Sequence, residues 1–255
     1  MSKVNIKIGK APGSIDFTGL QKMDESQIHQ LLYNNEILNN HTYAFNEEIN
    51  YNKDKNVIEW IDIRGIHDIP LIETIGAKYE IHNLILEDVA DTFQRPKYEE
   101  YSNGIFLIVK ALTFNKIDLK VETEQVALFF KENLVISFQE RETDLFNHVR
   151  NRLTIEKARI RKNGPDYLCY ALIDTIVDNY YIVLEDVEDV IETFERKLLS
   201  SPEKHSKSSI HRLKRELIVL RKSIVPLREA INKFSKTDSS FVSDKTSIYI
   251  RDLYD

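Results

Sequence analysis

The clearest pattern of apolar and polar positions lies in the last third of the chain. Ile173, Val177, Tyr180, Leu184, Val187, Ile191, Phe194 and Leu198 follow one another in alternating steps of four and three, the seam of a heptad helix. After a break at Ser200-Ser201-Pro202 the same rhythm resumes at Ile210, Leu213, Leu217, Leu220, Ile224, Leu227, Ile231 and Phe234. Two seams of equal length with a short break predict a long antiparallel helical hairpin, each arm at least about 37 Å long at 1.5 Å per residue. Pro226 removes a backbone donor inside the second arm and predicts a kink there. Beyond it, Ile248 and Leu253 begin a further helical pattern behind a cap at Ser243 or Asp244. The chain stops in mid-pattern at Asp255, so we expect this segment to be the start of a longer helix in a longer protein.

The first part of the chain has a different period. Residues 4–8, 57–64, 105–114, 125–130 and 134–138 read as strands, the last two joined by a turn at Lys131-Glu132-Asn133. Residues 69–79, 83–90 and 144–162 read as helices, and residues 24–50 are ambiguous by pattern. Strands interleaved with helices predict a mixed sheet covered by helices. The expected fold class is therefore α+β: an α/β/α layered domain (a mixed sheet covered by helices) over 1–165, the helical hairpin over 166–240 and the start of a further, truncated helix over 241–255, which the resemblance given below implies is a stalk.

Composition sharpens this. Only seven of 255 residues are Gly and six are Pro, so turns are few and elements long. No pair of glycines has the spacing of a phosphate-binding loop. The single cysteine, Cys169, excludes an intrachain disulfide and reads as a small buried residue. No stretch of about 18 residues is free of charge, so nothing in the chain is expected to span a bilayer. The net charge of −6 argues against a nucleic-acid binder.

Charge is also divided between the arms. Residues 166–203 hold ten acidic and two basic residues, and residues 204–236 hold ten basic and two acidic ones. Pairs such as Glu185, Glu188 or Glu192 with Lys214, Arg221 or Arg228 could set the register of the hairpin. Alternatively, the acidic arm is a face that attracts cations. Enzyme chemistry finds little support. None of the seven histidines has zinc-ligand spacing, and there is no G-x-S-x-G elbow. His67 and His82 stand at the starts of helical segments, where caps or surface roles are expected.

Six segments in order, from about residue 57 to the end, resemble the cytosolic domain of the CorA family of magnesium channels. They are Trp60-Ile61-Asp62-Ile63 with Gly65-Ile66-His67; Ile81-His82-Asn83-Leu84-Ile85-Leu86-Glu87-Asp88 with Gln94-Arg95-Pro96-Lys97 and Glu99; Glu124-Gln125-Val126 with Ile136-Ser137-Phe138-Gln139-Glu140; Asp166-Tyr167-Leu168 with Tyr170, Asp174 and Asp178; Leu213-Lys214-Arg215 with Pro226-Leu227-Arg228-Glu229; and Tyr249, Arg251-Asp252 and Tyr254-Asp255. The resemblance implies a homopentameric channel for divalent cations (Mg2+, with Co2+ and Ni2+ as further candidates). In this family the last helix continues into the membrane, and a Gly-Met-Asn motif, absent from this chain, marks the pore mouth. This chain would then be the sensing and gating part on the cytoplasmic side of the cell membrane, reaching the bilayer only through C-terminal helices it does not contain.

The resemblance also implies regulatory Mg2+ sites between subunits, on Asp88 of one copy and Asp252 of its neighbour, with Glu87 and Asp174 close by. Mg2+ takes oxygen ligands, keeps most of its waters and needs only one or two carboxylates, so such a site suits a millimolar ion. Each acid also has a plainer role open to it: Asp88 as a cap, Asp174 as partner of a base, Asp252 as an exposed stalk residue. A zinc-transporting relative is the alternative within the family. A soluble coiled-coil scaffold and a metal-dependent hydrolase are the alternatives outside it.

Overall fold

The computed structural model describes residues 11–200 and 207–255, except 45, 46, 48, 51 and 53. The strand expected at 4–8 and the break at Ser201-Pro202 lie outside the described residues. Seven strands, β1 (Gln27–Tyr33), β2 (Leu38–Tyr43), β3 (Ile58–Arg64), β4 (Lys97–Tyr101), β5 (Gly104–Asn115), β6 (Lys120–Lys131) and β7 (Leu134–Gln139), form one sheet. Their order is β2-β1-β3-β7-β6-β5-β4, and only the central β3/β7 pair is parallel.

The four strands read from pattern at 57–64, 105–114, 125–130 and 134–138 are β3, β5, β6 and β7. The ambiguous stretch 24–50 contains the β1–β2 hairpin, and β4 escaped the pattern altogether. Two of these three strands were missed for the same reason. β2 (LNNHTY) and β4 (KYEEY) are the edge strands, with too few buried positions to show alternation.

Helices cover both faces. On one side lie α1 (Ile69–Tyr79) and α2 (Asn83–Ala90), whose Ile72, Ile75, Ile85 and Val89 join Ile61, Ile63, Ile136 and Phe138 in one core. Asp68 caps α1 by accepting the Leu71 amide at 3.1 Å, and His82 caps α2 by accepting the Leu84 amide on Nδ1 at 3.2 Å. The two helices approach so closely that a side chain at Gly76 would overlap Leu86. Gly76→Ala is therefore expected to cost about 1–3 kcal/mol by overpacking, although it improves helix propensity. A thermal melt showing equal or greater stability would contradict this.

On the other face lie α3 (Asn147–Thr154), α4 (Pro165–Ser200), α5 (Lys207–Ser235) and α6 (Asp244–Tyr254). The long helix expected over 144–162 is corrected here. It is broken after α3, Lys157 takes φ 64°, and a short 3-10 turn follows at Arg159–Lys162. Tertiary contacts win over the local period. Arg161 turns inward to donate to the carbonyls of Asn34 and Ile37, both at 2.8 Å, and ties the break to the β1–β2 hairpin.

The arms of the hairpin follow neighbouring strands. α4 runs along β5: Tyr180 OH donates to the Lys110 carbonyl at 2.5 Å, and Asp186 meets Lys116 at 2.7 Å. α5 runs in the direction of β6 and ends against β4: Glu216 accepts the Val121 amide at 2.8 Å, and Phe234 lies near Phe130 and stacks on Tyr98. Because β5 and β6 are antiparallel, so are the arms. Their seams pack on the sheet. Ile173, Tyr180, Val187, Leu220, Leu227 and Phe234 share one core with Leu112, Val121 and Phe130 of the sheet. Among the described residues no ion pair joins α4 to α5, so register set by charge pairs between the arms is corrected to register set by the sheet beneath. α5 continues through Pro226 to Ser235.

Candidate metal centre

Three helices, α2, α4 and α6, carry the implicated acids on opposite faces of the sheet. On the α1/α2 face, Glu87 and Asp88 occupy the last turn of α2, where the helix dipole is negative and carboxylates call for a compensating cation. Asp88, with 17% of its side chain exposed, receives Lys97 Nζ on Oδ2 at 2.6 Å. The same ammonium also reaches Glu99 Oε1 at 2.8 Å. Glu99 in turn accepts Tyr101 OH at 3.0 Å, and burial together with that carboxylate pushes the phenol up to about 12. Glu87 accepts the Gly13 amide at 2.8 Å.

On the α3–α6 face the acids come from α4 and α6. Ser243 caps α6, accepting the Thr246 amide, while its own amide and hydroxyl donate to the buried Asp166 at 2.9 and 2.7 Å. Two turns on, Tyr249 packs edge-on to Tyr167 and beside Tyr170, and takes a hydrogen bond from Arg159 at 2.7 Å. These contacts lay α6 along the first turns of α4 and carry Asp252 to Asp174. Burial holds the Asp174 carboxyl above the usual carboxylate range. Asp178 and Asp252 push it the same way, while the Tyr170 hydroxyl and Arg152 oppose them. Within one chain Asp174 and Asp252 share one face, near enough for Asp252 to push the Asp174 carboxyl up, while Glu87 and Asp88 lie on the other. Among the described residues there is no group of three or more acids, histidines or cysteines that could hold a metal.

The other quoted motifs have a structural explanation. Asp62 and Ser137 are register partners across the parallel β3/β7 pair. Trp60 Nε1 donates to Ser137 Oγ at 3.0 Å, and Ser137 donates to Asp62 at 2.6 Å. Glu140 accepts the Lys22 amide at 2.8 Å and meets His67 Nδ1 at 2.9 Å. Cys169 is fully buried, and burial pushes its thiol up, as befits a core residue.

The family described as CorA-like Mg2+ transporter protein matches residues 55–255. The chain belongs to the CorA family. It is 36% identical over 253 residues to the cobalt/magnesium transport protein CorA of Thermotoga maritima, covering 99% of this chain and 72% of that one. Identity to the CorA of Methanocaldococcus jannaschii is 23% over 196 residues, 76% of this chain and 61% of that one. The structure of the soluble domain of that CorA superposes with a TM-score of 0.71 at 20% identity, covering 89% of this chain and 86% of its own. The cytoplasmic domain of ZntB from Vibrio parahaemolyticus shares the fold at 14% identity, with a TM-score of 0.63 over 89% of each chain. The named CorA relatives are transport proteins, and the α+β fold is that of the CorA soluble domain. No helix among the described residues is long and apolar enough to cross a membrane.

Proposed function

We propose that this chain is the metal-sensing and gating region of a CorA-type channel for Mg2+ or a similar divalent cation, working on the cytoplasmic side as part of a homopentameric ring. The division into 1–165, 166–240 and 241–255 then corresponds to a body, a lever and the start of the stalk. The observation that carries the reading is the placement of Glu87/Asp88 and Asp174/Asp252 on opposite faces of one sheet. Each pair is half a site, and a second copy brought alongside in a ring supplies the other half, Asp88 of one copy meeting Asp252 of its neighbour.

The residues suit the ion. All four are carboxylates, the donors a hard cation takes, and Asp88 and Asp252 both reach the surface. Bound there, Mg2+ supplies positive charge between facing acids. Left to themselves, Asp88, Asp174 and Asp252 repel across the interface, and Tyr249 and Ser243 pass that strain to the stalk helix through their grip on α4. The ZntB likeness makes a zinc-responding variant of the same device the second reading.

The test is a titration of the chain with Mg2+ and with Zn2+, followed by limited proteolysis and sedimentation. Millimolar Mg2+ is expected to protect the chain and promote self-association, and Asp88→Ala and Asp252→Ala are expected to abolish both effects. Variants that respond as the parent does would remove the site assignment. A response to micromolar Zn2+ with none to Mg2+ would favour the zinc reading.

A further inference from the structure

The reading above leaves Asp88 with two suitors. Its Oδ2 is 2.6 Å from the Lys97 ammonium, a charge that β4 holds beside α2. A divalent cation using Asp88 must displace or share that contact. The same ammonium is already 2.8 Å from Glu99, two residues along β4, and lies 5.5 Å above the Phe106 ring. Lys97 can therefore leave Asp88 without losing a carboxylate partner and without leaving its aromatic support. Glu99 is 38% exposed and keeps its second oxygen on Tyr101, so it stays in place to receive the charge.

We propose that Lys97 is a tethered competitor for the divalent cation at Asp88, and that Glu99 is the seat to which it withdraws, so that the pair sets the ion concentration at which the ring responds. The proposal rests on Asp88 being a cation ligand. A tethered group acts at an effective concentration in the millimolar range or above, the range in which a weak Mg2+ site works. The exchange is then a contest between a fixed monovalent ammonium and a free divalent ion for one oxygen. It makes two changes of side chain at neighbouring positions act in opposite directions. Removing Lys97 takes away one competitor for Asp88. Removing the Glu99 charge leaves Lys97 no second seat and holds it on Asp88.

The experiment is a Mg2+ titration of self-association and of thermal unfolding on the parent chain and on Lys97→Met, Lys97→Arg, Glu99→Gln and Asp88→Asn. Methionine keeps the unbranched stem over Phe106, so the strand edge is not disturbed. Lys97→Met is expected to lower the Mg2+ midpoint roughly two- to fivefold, the size of a partly exposed ion pair. Glu99→Gln is expected to raise it by a similar factor, and Lys97→Arg to keep it within about twofold. Unchanged midpoints in both Lys97→Met and Glu99→Gln, with the response abolished in Asp88→Asn, would overturn the competitor while leaving the metal site standing. Midpoints that move in the same direction in both would also overturn it. A parent-like response in Asp88→Asn would overturn both the site and the competitor.

Discussion

Asp62→Ala is expected to cost about 3–5 kcal/mol, a fall in Tm on the order of 10 °C. Asp62 is fully buried and takes Arg64 Nε at 3.1 Å, Arg150 Nη2 at 2.5 Å and Ser137 Oγ at 2.6 Å. Arg150 also lies 4.7 Å over the Trp60 ring, so its charge is held inside the layer between β3 and α3. Truncating Asp62 leaves two guanidinium groups in a poorly solvated place with one shared partner, Asp144. Removing a partner from a buried charge is costly because the remaining charge has lost both its pair and its water. The control is Asp144→Ala. Its carboxylate is 37% exposed and bonds the same two arginines, yet its loss is expected to cost less than about 1 kcal/mol because water can replace it. Chemical denaturation of the two variants checks this, and equal costs would show that burial does not decide the strength of this network.

The second large effect is a pH dependence carried by Lys110. Its ammonium donates to the Thr92 carbonyl at 2.9 Å and to Gln125 Oε1 at 3.0 Å beneath α2. Burial pulls its pKa from 10.5 down to about 8, against the pull of Asp91. The folded chain therefore releases this proton near pH 8, while the unfolded chain keeps it until the ordinary lysine range. Between these two values the unfolded state binds more protons, so stability rises with pH. Over two to three units the gain is about 3 kcal/mol. Several buried tyrosines, Tyr98 and Tyr180 among them, have phenols pushed up by burial and lose stability at still higher pH. The comparison with Lys110→Met separates the two effects. The parent is expected to gain on the variant from pH 8 to 10, and parallel curves would show that Lys110 keeps its proton in the fold.

Much of this protein was legible because its longest elements have strong periods. The seams of α4 and α5 repeat over many turns, and the central strands β3, β5, β6 and β7 are apolar because both their faces are covered. Residue type narrowed the N-cap of α6 to Ser243 or Asp244, and the structure gives it to Ser243. The edge strands β2 and β4 were not, because a strand with one exposed side and polar residues has no alternation to read. The end of α3 was not, because Lys157 and Arg161 follow a tertiary pull that no local preference announces.

The candidate site divides the same way. The segments resembling CorA named Asp88, Glu87, Asp174 and Asp252, but not what surrounds them. Lys97 stood in the quoted Gln94-Arg95-Pro96-Lys97 run with no role attached, since its nine-residue separation from Asp88 crosses a helix end and a strand start. A carboxylate and an ammonium so separated meet only after the chain has turned.

The sequence by itself determined the long helical arms and the central strands and pointed to the family, and through that resemblance to the four acids, because period and motif are properties of neighbouring residues. Only the tertiary structure decided that the arms are registered by the sheet and not by each other's charges. It alone decided that Asp62 is a buried counter-ion, and that Glu87 and Asp88 lie on the opposite face of the sheet from Asp174 and Asp252. Those outcomes depend on which side chains lose their water together, and residues that do so are brought side by side by the fold, not by the order of the chain.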